Sequence, residues 1–414
     1  MTLLNLNLPV LQQIADLTLM GYYRTFDVTK AGDAGPNMLV GTNGNDKLEG
    51  GAGDDTLIGA TGDDWLVGGA GADAIIGGAG FHDTASYIDS PDAIYLDLEN
   101  GHSGDNNADN AAVADSVGDT LLDVEQINGS AFNDLILGDG NANEFYGYDG
   151  NDELWGKGGD DTLFGMQGDD KLFGGEGKDE LNGGAGVDTI HGEAGDDTID
   201  GGAGNDFLHG EGGVNTITGG AGDDMIWGGD KTDNLYGGSG TDSFYGGDGS
   251  DFIYGQGDKD YLLGQNGNDY LYGGAGNDYL HGGAQNDFLT GDEGDDEIYG
   301  GEGVDTVRGG VGNDILHGDG TALSSKDIFQ FDTQGNNGDD IMLDFDRKND
   351  VLDLQGAYKN GDDVFVSHTN EGWLKLEFAG GGSLTFTGNE EMAQVTSLTH
   401  LNLVANVQYA DGLA

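Results

Sequence analysis

The stretch GGEGKDELNGGAGVDTIH, at residues 174–191, holds two copies of the nine-residue unit on which most of this chain is built. Twenty-one such units follow one another from residue 129 to residue 317 without an insertion or a deletion. Every unit has Gly at position 1, and most have Gly at positions 2 and 4, Asp at position 6 and a large apolar residue at position 8. GGAGNDFLH at 201–209 and GGAGDDMIW at 219–227 follow the same template.

Each unit has room for one short strand. Positions 7 to 9 alternate x-apolar-x before the next Gly, so the chain must turn every nine residues. Glycines at positions 1, 2 and 4 permit the positive φ angles and close backbone packing of so tight a turn. Two units then make one coil of 18 residues, in which strand n pairs in parallel with strand n+2. The position-8 residues, among them Leu172, Leu181, Ile190, Ile199 and Leu208, meet between the two sheets. The sequence thus predicts an all-β fold, a parallel β-roll.

Position 6 carries the predicted chemistry. Stacked coils place the position-6 carboxylates in two columns, which repel each other unless cations lie between the coils. The glycine turns direct backbone carbonyls into the same spaces, and an all-oxygen ligand set suits Ca²⁺ better than Mg²⁺. The predicted metal ligands of the first column are Asp134, Asp152, Asp170, Asp188, Asp206, Asp224, Asp242, Asp260, Asp278, Asp296 and Asp314. Those of the second column are Asp161, Asp179, Asp197, Asp233, Asp251, Asp269, Asp287 and Asp305.

Some units depart from the template, and we expect weaker calcium sites there. Asn143 and Asn215 replace the position-6 Asp. The position-4 Gly is replaced by Asn141, Lys231, Asp258 and Gln285. The alternative interpretation, a disordered Gly/Asp-rich linker, does not require an apolar residue fixed at position 8 and is therefore disfavoured.

The charge of the chain is extreme. Its 414 residues carry 77 Asp and Glu against 14 Lys and Arg, for a formal net charge of −63. So acidic a surface repels phosphate, which excludes nucleic acid as a partner of the roll, and its self-repulsion opposes compaction unless counter-ions bind. About twenty Ca²⁺ ions would neutralise much of this charge. We therefore expect folding to depend on calcium. The absence of Cys agrees with export of an unfolded chain from a reducing cytosol.

These repeats resemble the RTX (repeats-in-toxin) proteins of bacteria. The resemblance implies a right-handed parallel β-roll that binds Ca²⁺ and a chain that leaves the cell through type I secretion machinery. It covers about 200 residues of repeat sequence. The part after residue 320 resembles the C-terminal segment of serralysin-type secreted proteins, which implies strands that cap the roll and a terminal tail that carries the uncleaved export signal.

Five regions are expected along the chain. Residues 1–40 form an N-terminal leader, with a strand near its start and one helix from Val10 to Met20. Residues 41–80 form a first β-roll block with metal ligands Asp46, Asp55, Asp64 and Asp73. Residues 81–128 are an irregular interruption of the solenoid that contains a polar loop through Asp105 to Asn110. Residues 129–320 form the main β-roll. Residues 321–414 form the cap, with strands at DIFQFD, DDIMLDFD, NDVLDLQG, DVFVSH, LKLEFAG and SLTFTG, and the secretion signal.

Signals for membrane insertion and for catalysis are weak. The first twenty residues lack the basic region and cleavage site of a signal peptide, and no stretch reaches the roughly 18 apolar residues of a membrane span. The sequence contains no H-E-x-x-H zinc motif, and GHSGD at 101–105 lacks the last Gly of a nucleophile elbow. We therefore expect a protein without enzymatic activity and no catalytic residues.

A row of rings at position 9 allows three interpretations. It contains His191, His209, His281 and His317 together with Trp155, Phe173, Trp227, Tyr245 and Tyr299. Cross-strand stacking that stabilises an exposed sheet is favoured. A sugar-binding or partner-binding strip comes second, and zinc held by His191 and His209 comes third.

Three functions follow from these observations. The favoured one is a secreted, extracellular, non-enzymatic calcium-binding protein that folds outside the cell. The second is a module that binds polysaccharide or cell-surface glycan through the position-9 row. The third is an enzyme whose catalytic residues lie in residues 1–40 or 81–128.

Overall fold

The computed structural model describes residues 26–100, 102–103, 116–319, 326–332, 338–345, 349–355, 364–368, 374–378 and 383–387. Every regular element in these ranges is a β-strand. The contacts divide the chain into two compact units, Met1–Ala131 and Phe132–Ala414. The expected leader helix, the polar loop through Asp105 to Asn110 and the tail after Gly388 lie outside the described residues. Within the described ranges, no helix has the length and apolar character needed to cross a membrane.

The described part of the first unit contains eleven strands. They are β1 (Val28–Ala31), β2 (Met38–Val40), β3 (Asp46–Ala52), β4 (Thr56–Thr61), β5 (Trp65–Ala70), β6 (Ala74–Ala79), β7 (Thr84–Ser86), β8 (Tyr95–Asp97), β9 (His102–Ser103), β10 (Thr120–Leu122) and β11 (Gln126–Asn128). One parallel sheet has the order β1-β3-β5-β7-β11, and the other has the order β2-β4-β6-β10. Strands β1 and β2, inside the segment expected to be a leader, thus pair in register with the first repeat block.

The second unit continues with β12 to β38. Its repeat strands are β12 (Leu135–Leu137), β13 (Glu144–Asp149), β14 (Glu153–Gly158), β15 (Thr162–Gln167), β16 (Lys171–Glu176), β17 (Glu180–Ala185), β18 (Thr189–Ala194), β19 (Thr198–Ala203), β20 (Phe207–Glu211), β21 (Thr216–Ala221), β22 (Met225–Gly229), β23 (Asn234–Ser239), β24 (Ser243–Asp248), β25 (Phe252–Gly257), β26 (Tyr261–Asn266), β27 (Tyr270–Ala275), β28 (Tyr279–Ala284), β29 (Phe288–Glu293), β30 (Glu297–Glu302), β31 (Thr306–Val311) and β32 (Ile315–Asp319). Six more follow: β33 (Ile328–Asp332), β34 (Asp339–Met342), β35 (Val351–Gln355), β36 (Val364–His368), β37 (Leu374–Phe378) and β38 (Ser383–Phe386).

Alternate repeat strands pair with a shift of 18 residues, which confirms the predicted coil. Leu172 on β16 lies opposite Ile190 on β18, and Ile190 lies opposite Leu208 on β20. All three side chains are fully buried, whereas positions 7 and 9 face outward. The odd-numbered strands form one parallel sheet and the even-numbered strands the other, with the position-8 residues packed between them. The fold is therefore a parallel β-roll.

Glycine is required at two positions of the turn, for two different structural reasons. Position-4 Gly186 has a φ of +143°, and a β-carbon there would lie 1.8 Å from the carbonyl oxygen of Gly168 in the preceding coil. Position-1 Gly183 does not adopt a left-handed φ, so only the second predicted role, close packing, applies to it. It is required because a β-carbon would collide with the Asp188 carboxylate, at 2.3 Å. The position-1 glycine therefore makes room for a side chain and for the Gly201 carbonyl oxygen, 2.7 Å from the same point, and does not serve its own backbone conformation.

All six strands predicted after the repeats are present. β33 and β35 extend the odd-numbered sheet, and β34 and β38 extend the even-numbered one. The sheet ends in the antiparallel pairs β38–β37 and β37–β36. Phe329, Phe345 and Phe386 fill the core at this end, with ring centroids 5.9 and 5.3 Å apart in that order.

We expect Leu208→Ala to lower the free energy of unfolding by about 2–5 kcal/mol, because it leaves a cavity in a fully buried row. Urea titration in millimolar calcium measures this loss. The matched control is Phe207→Ala at the preceding position, where the side chain is 39% exposed and the loss should be much smaller. Equal losses for the two variants would contradict the placement of position 8 in the core.

Candidate functional site

Most position-6 carboxylates use one oxygen to join two coils. Asp188 Oδ1 accepts a hydrogen bond from the backbone N–H of Asp170, at 2.8 Å. Asp206 Oδ1 accepts in the same way from Asp188 N–H, at 2.8 Å. The bond repeats at 18-residue intervals along both columns from Asp152 and Asp161 onward, so these side chains are held by the coil before them. All twenty-three predicted ligands are buried, with exposures of 3% or less.

In seventeen of these carboxylates, the second oxygen has no hydrogen-bond partner in the protein. It is buried and receives no hydrogen bond in Asp55, Asp152, Asp161, Asp170, Asp179, Asp188, Asp197, Asp206, Asp224, Asp233, Asp242, Asp251, Asp260, Asp269, Asp278, Asp287 and Asp296. A buried carboxylate oxygen without a partner is costly, since burial removes the water that would otherwise solvate it. Each of these oxygens therefore needs a partner from outside the protein chain, such as a cation or a proton.

The space in front of each free oxygen is bounded by the position-1 glycine and a carbonyl of the next coil. The point that a β-carbon on Gly183 would occupy lies 2.3 Å from Asp188 Oδ2 and 2.7 Å from the Gly201 carbonyl oxygen. The equivalent point at Gly201 lies 2.6 Å from Asp206 Oδ2 and 2.7 Å from the Gly219 oxygen. We call each such space a cradle. It combines a carboxylate oxygen with a backbone carbonyl oxygen, and Ca²⁺ prefers both as ligands.

The cradles do not rely on clusters of acidic side chains. In the part of the chain that the structure describes, no group of three or more His, Cys, Asp or Glu side chains could hold a metal ion together. A cradle instead places one carboxylate oxygen beside a backbone carbonyl oxygen. The sequence predicted this mixture of ligands, and the role of the twenty-three Asp residues as ligands stays a prediction.

Burial raises the pKa of several position-6 carboxyl groups of the main repeat block. It raises the pKa of Asp152 and of Asp260 to about 8 and that of Asp188 to about 7. Repulsion from neighbouring carboxylates in the column adds to the rise in these three groups, and the hydrogen bond from the preceding coil opposes it. The pKa of Asp206 is also raised, mainly by burial. Without a cation, the ionised form is therefore unfavourable near neutral pH.

The Asp columns continue beyond the regular repeats, which the sequence analysis missed. Five further Asp residues accept the same hydrogen bond from the preceding coil, at 2.7–3.1 Å: Asp83, Asp119, Asp327, Asp340 and Asp350. Each lies two residues before a buried apolar residue, as in Asp327-Ile328-Phe329. This Asp-x-apolar triplet, which matches positions 6 to 8, is the signal that could have identified them.

A second ladder at position 5 was also missed. Asp169 Oδ1 accepts the backbone N–H of Val187 in the following coil at 2.9 Å, and Asp196 Oδ1 accepts that of Val214 at 2.8 Å. Asn and Asp are frequent at position 5, which was the available signal. These bonds fix the turn that carries the cradle.

The position-9 row forms a stack of rings. From Trp155 through Phe173, His191, His209 and Trp227 to Tyr245, successive centroids are 3.8, 5.2, 4.6, 4.2 and 5.4 Å apart, with interplanar angles of 15° or less. Each inner ring therefore has both faces covered by its neighbours, whereas sugars pack against open ring faces. The geometry supports cross-strand stacking over a sugar-binding strip.

The same stack argues against the zinc interpretation. The rings of His191 and His209 are parallel to within 2°. Because the nitrogen lone pairs lie in the ring planes, the two imidazoles cannot direct them at one tetrahedral ion between the rings. His191 Nδ1 instead contacts Glu211 Oε1 at 2.9 Å.

A comparison with protein families supports the same repeat. A coil of 18 residues with glycine cradles and buried carboxylate columns defines the class of parallel β-rolls built from nonapeptides. The family model of the RTX calcium-binding nonapeptide repeat, which spans four copies, matches residues 31–66, 50–81, 123–154, 146–181, 155–190, 173–208, 182–217, 191–226, 209–243, 227–262, 254–289 and 290–321. These matches cover more than half of the chain, which thus belongs to the RTX calcium-binding repeat family.

One solved structure similar to the chain is the AlgE6R3 subunit of the mannuronan C5-epimerase of Azotobacter vinelandii, determined in solution. The two are 25% identical, and the similarity covers 40% of this chain and 83% of that one, with a TM-score of 0.18. No curated protein matches the chain.

In the absence of calcium, we expect acid to promote folding. The pKa of Asp152, about 8, and of Asp188, about 7, lie above the value of about 3.9 for an unfolded chain. Protons therefore bind the folded form more tightly, and this stabilisation is complete below about pH 4 and is lost as the pH rises through 7 and 8. The β signal in circular dichroism with EDTA should be larger at pH 5.5 than at pH 8.

Calcium titrations of the same samples provide the complementary measurement. Because protons already neutralise these carboxylates in the folded form at pH 5.5, the calcium concentration at half-folding should be lower at pH 5.5 than at pH 7.5. A β signal in EDTA that is larger at pH 8 than at pH 5.5 would contradict this account.

Proposed function

We propose that this protein is a secreted, non-enzymatic calcium-binding β-roll that is exported unfolded by a type I secretion system and folds in extracellular calcium. The observation that carries the proposal is the set of buried carboxylate oxygens without a hydrogen-bond partner, each facing a backbone carbonyl across a glycine cradle. The proposed ligands are the position-6 Asp residues together with these carbonyls.

The energetics support dependence on a cation. A buried ion without a partner costs several kcal/mol even after relaxation, whereas the net stability of a folded domain is about 5–15 kcal/mol. A few uncompensated carboxylates would therefore unfold the roll, and the columns contain many more. The formal charge of −63 adds long-range repulsion. Bound Ca²⁺ would remove both penalties because it neutralises the carboxylates where they are buried.

The same dependence supports export before folding. Calcium sites of extracellular modules have dissociation constants of about 10⁻⁴ to 10⁻³ M, so such a chain stays unfolded at low calcium and folds outside the cell. The lack of Cys means that no disulfide has to form on the way. The absence of enzymatic activity is part of the proposal. We assign the buried carboxylates of the roll to coil stacking and to the cradles, and not to catalysis.

Glycan binding is the weaker candidate. The position-9 row is aromatic and half-buried, but its stacked rings present edges to solvent. The ring faces on which a pyranose would pack are occupied by other rings.

Calcium should drive folding of the isolated protein. We expect little β signal in circular dichroism with EDTA at pH 7.5 and a cooperative increase as Ca²⁺ reaches millimolar concentration, because only then are the buried carboxylates neutralised. Mg²⁺ at the same concentration is the control and should have a much smaller effect, since it loses its water reluctantly. A β signal that is the same with EDTA and with calcium would refute the proposal.

Removal of residues 389–414 should separate export from folding. If the tail carries the export signal, the truncated chain should stay in cells that possess the type I system, while the purified protein still folds in calcium at an unchanged concentration. Secretion is measured by the fraction of protein in the medium. Continued export of the truncated chain would show that the export signal does not lie in residues 389–414.

A further inference from the structure

Two units carry Asn at position 6, and the two amides are oriented in opposite ways. Asn143 and Asn215 are both buried, with exposures of 4% and 0%. They therefore replace a carboxylate within the columns and do not lie on the surface. The orientation of each amide decides whether a cation in its cradle would meet an oxygen or a nitrogen.

Asn215 turns its nitrogen into the cradle. Its Oδ1 accepts the backbone N–H of Asp197 at 3.0 Å, as the Asp residues of the column do. Nδ2 is left to face the cradle, 2.4 Å from the point that a β-carbon on Gly210 would occupy, and it donates to the Gly228 carbonyl oxygen at 3.5 Å. The reverse orientation would place the NH₂ group against the N–H of Asp197, donor against donor.

Asn143 turns its oxygen into the cradle. Its Oδ1 lies 2.3 Å from the β-carbon point of Gly138, and the Gly156 carbonyl oxygen lies 2.4 Å from the same point. The bond that Oδ1 accepts comes from the N–H of Asp139 in its own turn, at 3.0 Å. Two oxygens thus face this space, as they do in the cradles with a complete template.

We propose that Asn215 closes one cradle of the second column to calcium, whereas Asn143 leaves its cradle open through its amide oxygen. In the Asn215 cradle the N–H groups carry positive partial charge toward the place of the ion and occupy the carbonyl that would coordinate it. The amide thus does what Ca²⁺ does elsewhere: it satisfies the carbonyl of the next coil, and it removes one buried negative charge.

The column is thereby divided into two runs of ions. One run precedes Asn215 and includes the cradles of Asp161, Asp179 and Asp197, and the other begins at Asp233. The coil of Asn215 needs no ion at that turn. This inference rests on the proposed function, because it assumes that the remaining cradles hold calcium.

Two substitutions test it in opposite directions. Asn215→Asp replaces the nitrogen with an oxygen and should raise the number of bound Ca²⁺ ions by one per chain. Asp206→Asn should lower it by one, because the N–H of Asp188 at 2.8 Å holds Oδ1 and forces the amide nitrogen toward the Gly219 carbonyl. Asn143→Asp is the matched control: its ion count should stay unchanged, and only the affinity should rise.

The count is measured by native mass spectrometry in saturating calcium, with circular dichroism of the same samples as a check of folding. Asn215→Asp with the wild-type count would overturn the inference, and so would Asp206→Asn that keeps every ion. An added ion in Asn143→Asp would overturn the assignment of Asn143. A wild-type chain that binds no calcium would instead refute the proposed function. If Asn215→Asp does not fold, Asp206→Asn decides the question alone.

Discussion

The roll depends on how each position-6 carboxylate divides its two oxygens. In Asp188, which is fully buried, Oδ1 is committed to the N–H of the preceding coil at 2.8 Å, and Oδ2 faces the cradle. The first oxygen fixes the stacking of coils, so the negative charge cannot move away from the cradle. Something must therefore balance it there. A cation, a proton on the carboxyl group, or replacement by an amide as in Asn215 are three solutions to the same electrostatic problem.

Much of this arrangement could be predicted from the sequence because its period is visible in the residues. The coil of 18, the buried row through Leu172 and Ile190, and the two Asp columns all follow from the template of nine. The reason for Gly at position 1 did not follow. Gly183 has ordinary backbone conformation, and its role appears only when Asp188 Oδ2 is placed 2.3 Å from its missing β-carbon.

The column members that the sequence analysis missed lie where the count of nine fails. The shift between successive column members is 22 residues from Asp305 to Asp327 and 26 from Asp314 to Asp340, in place of 18. Insertions in the loops hide the period, although the strands still pair with the coil before them. The orientation of the Asn143 and Asn215 amides was also beyond the sequence, because it is set by which backbone N–H reaches Oδ1.

The bonds at positions 5 and 6 form a reciprocal pair between coils. At one turn, Asp170 N–H donates forward to Asp188 Oδ1, while Val187 N–H donates back to Asp169 Oδ1. Neither turn can satisfy these groups alone, so a turn is complete only when it is stacked.

The end of the repeats must therefore supply the same partners, and it does. Asp314 N–H donates to Asp340 Oδ1 at 3.1 Å, and Asp339 N–H donates to Asn313 Oδ1 at 3.0 Å. The segment after the repeats covers the exposed end of the core and also continues the hydrogen bonding of the turn. A substitute cap would have to reproduce this Asp pair as well as the apolar cover, because a buried N–H without an acceptor destabilises the last coil.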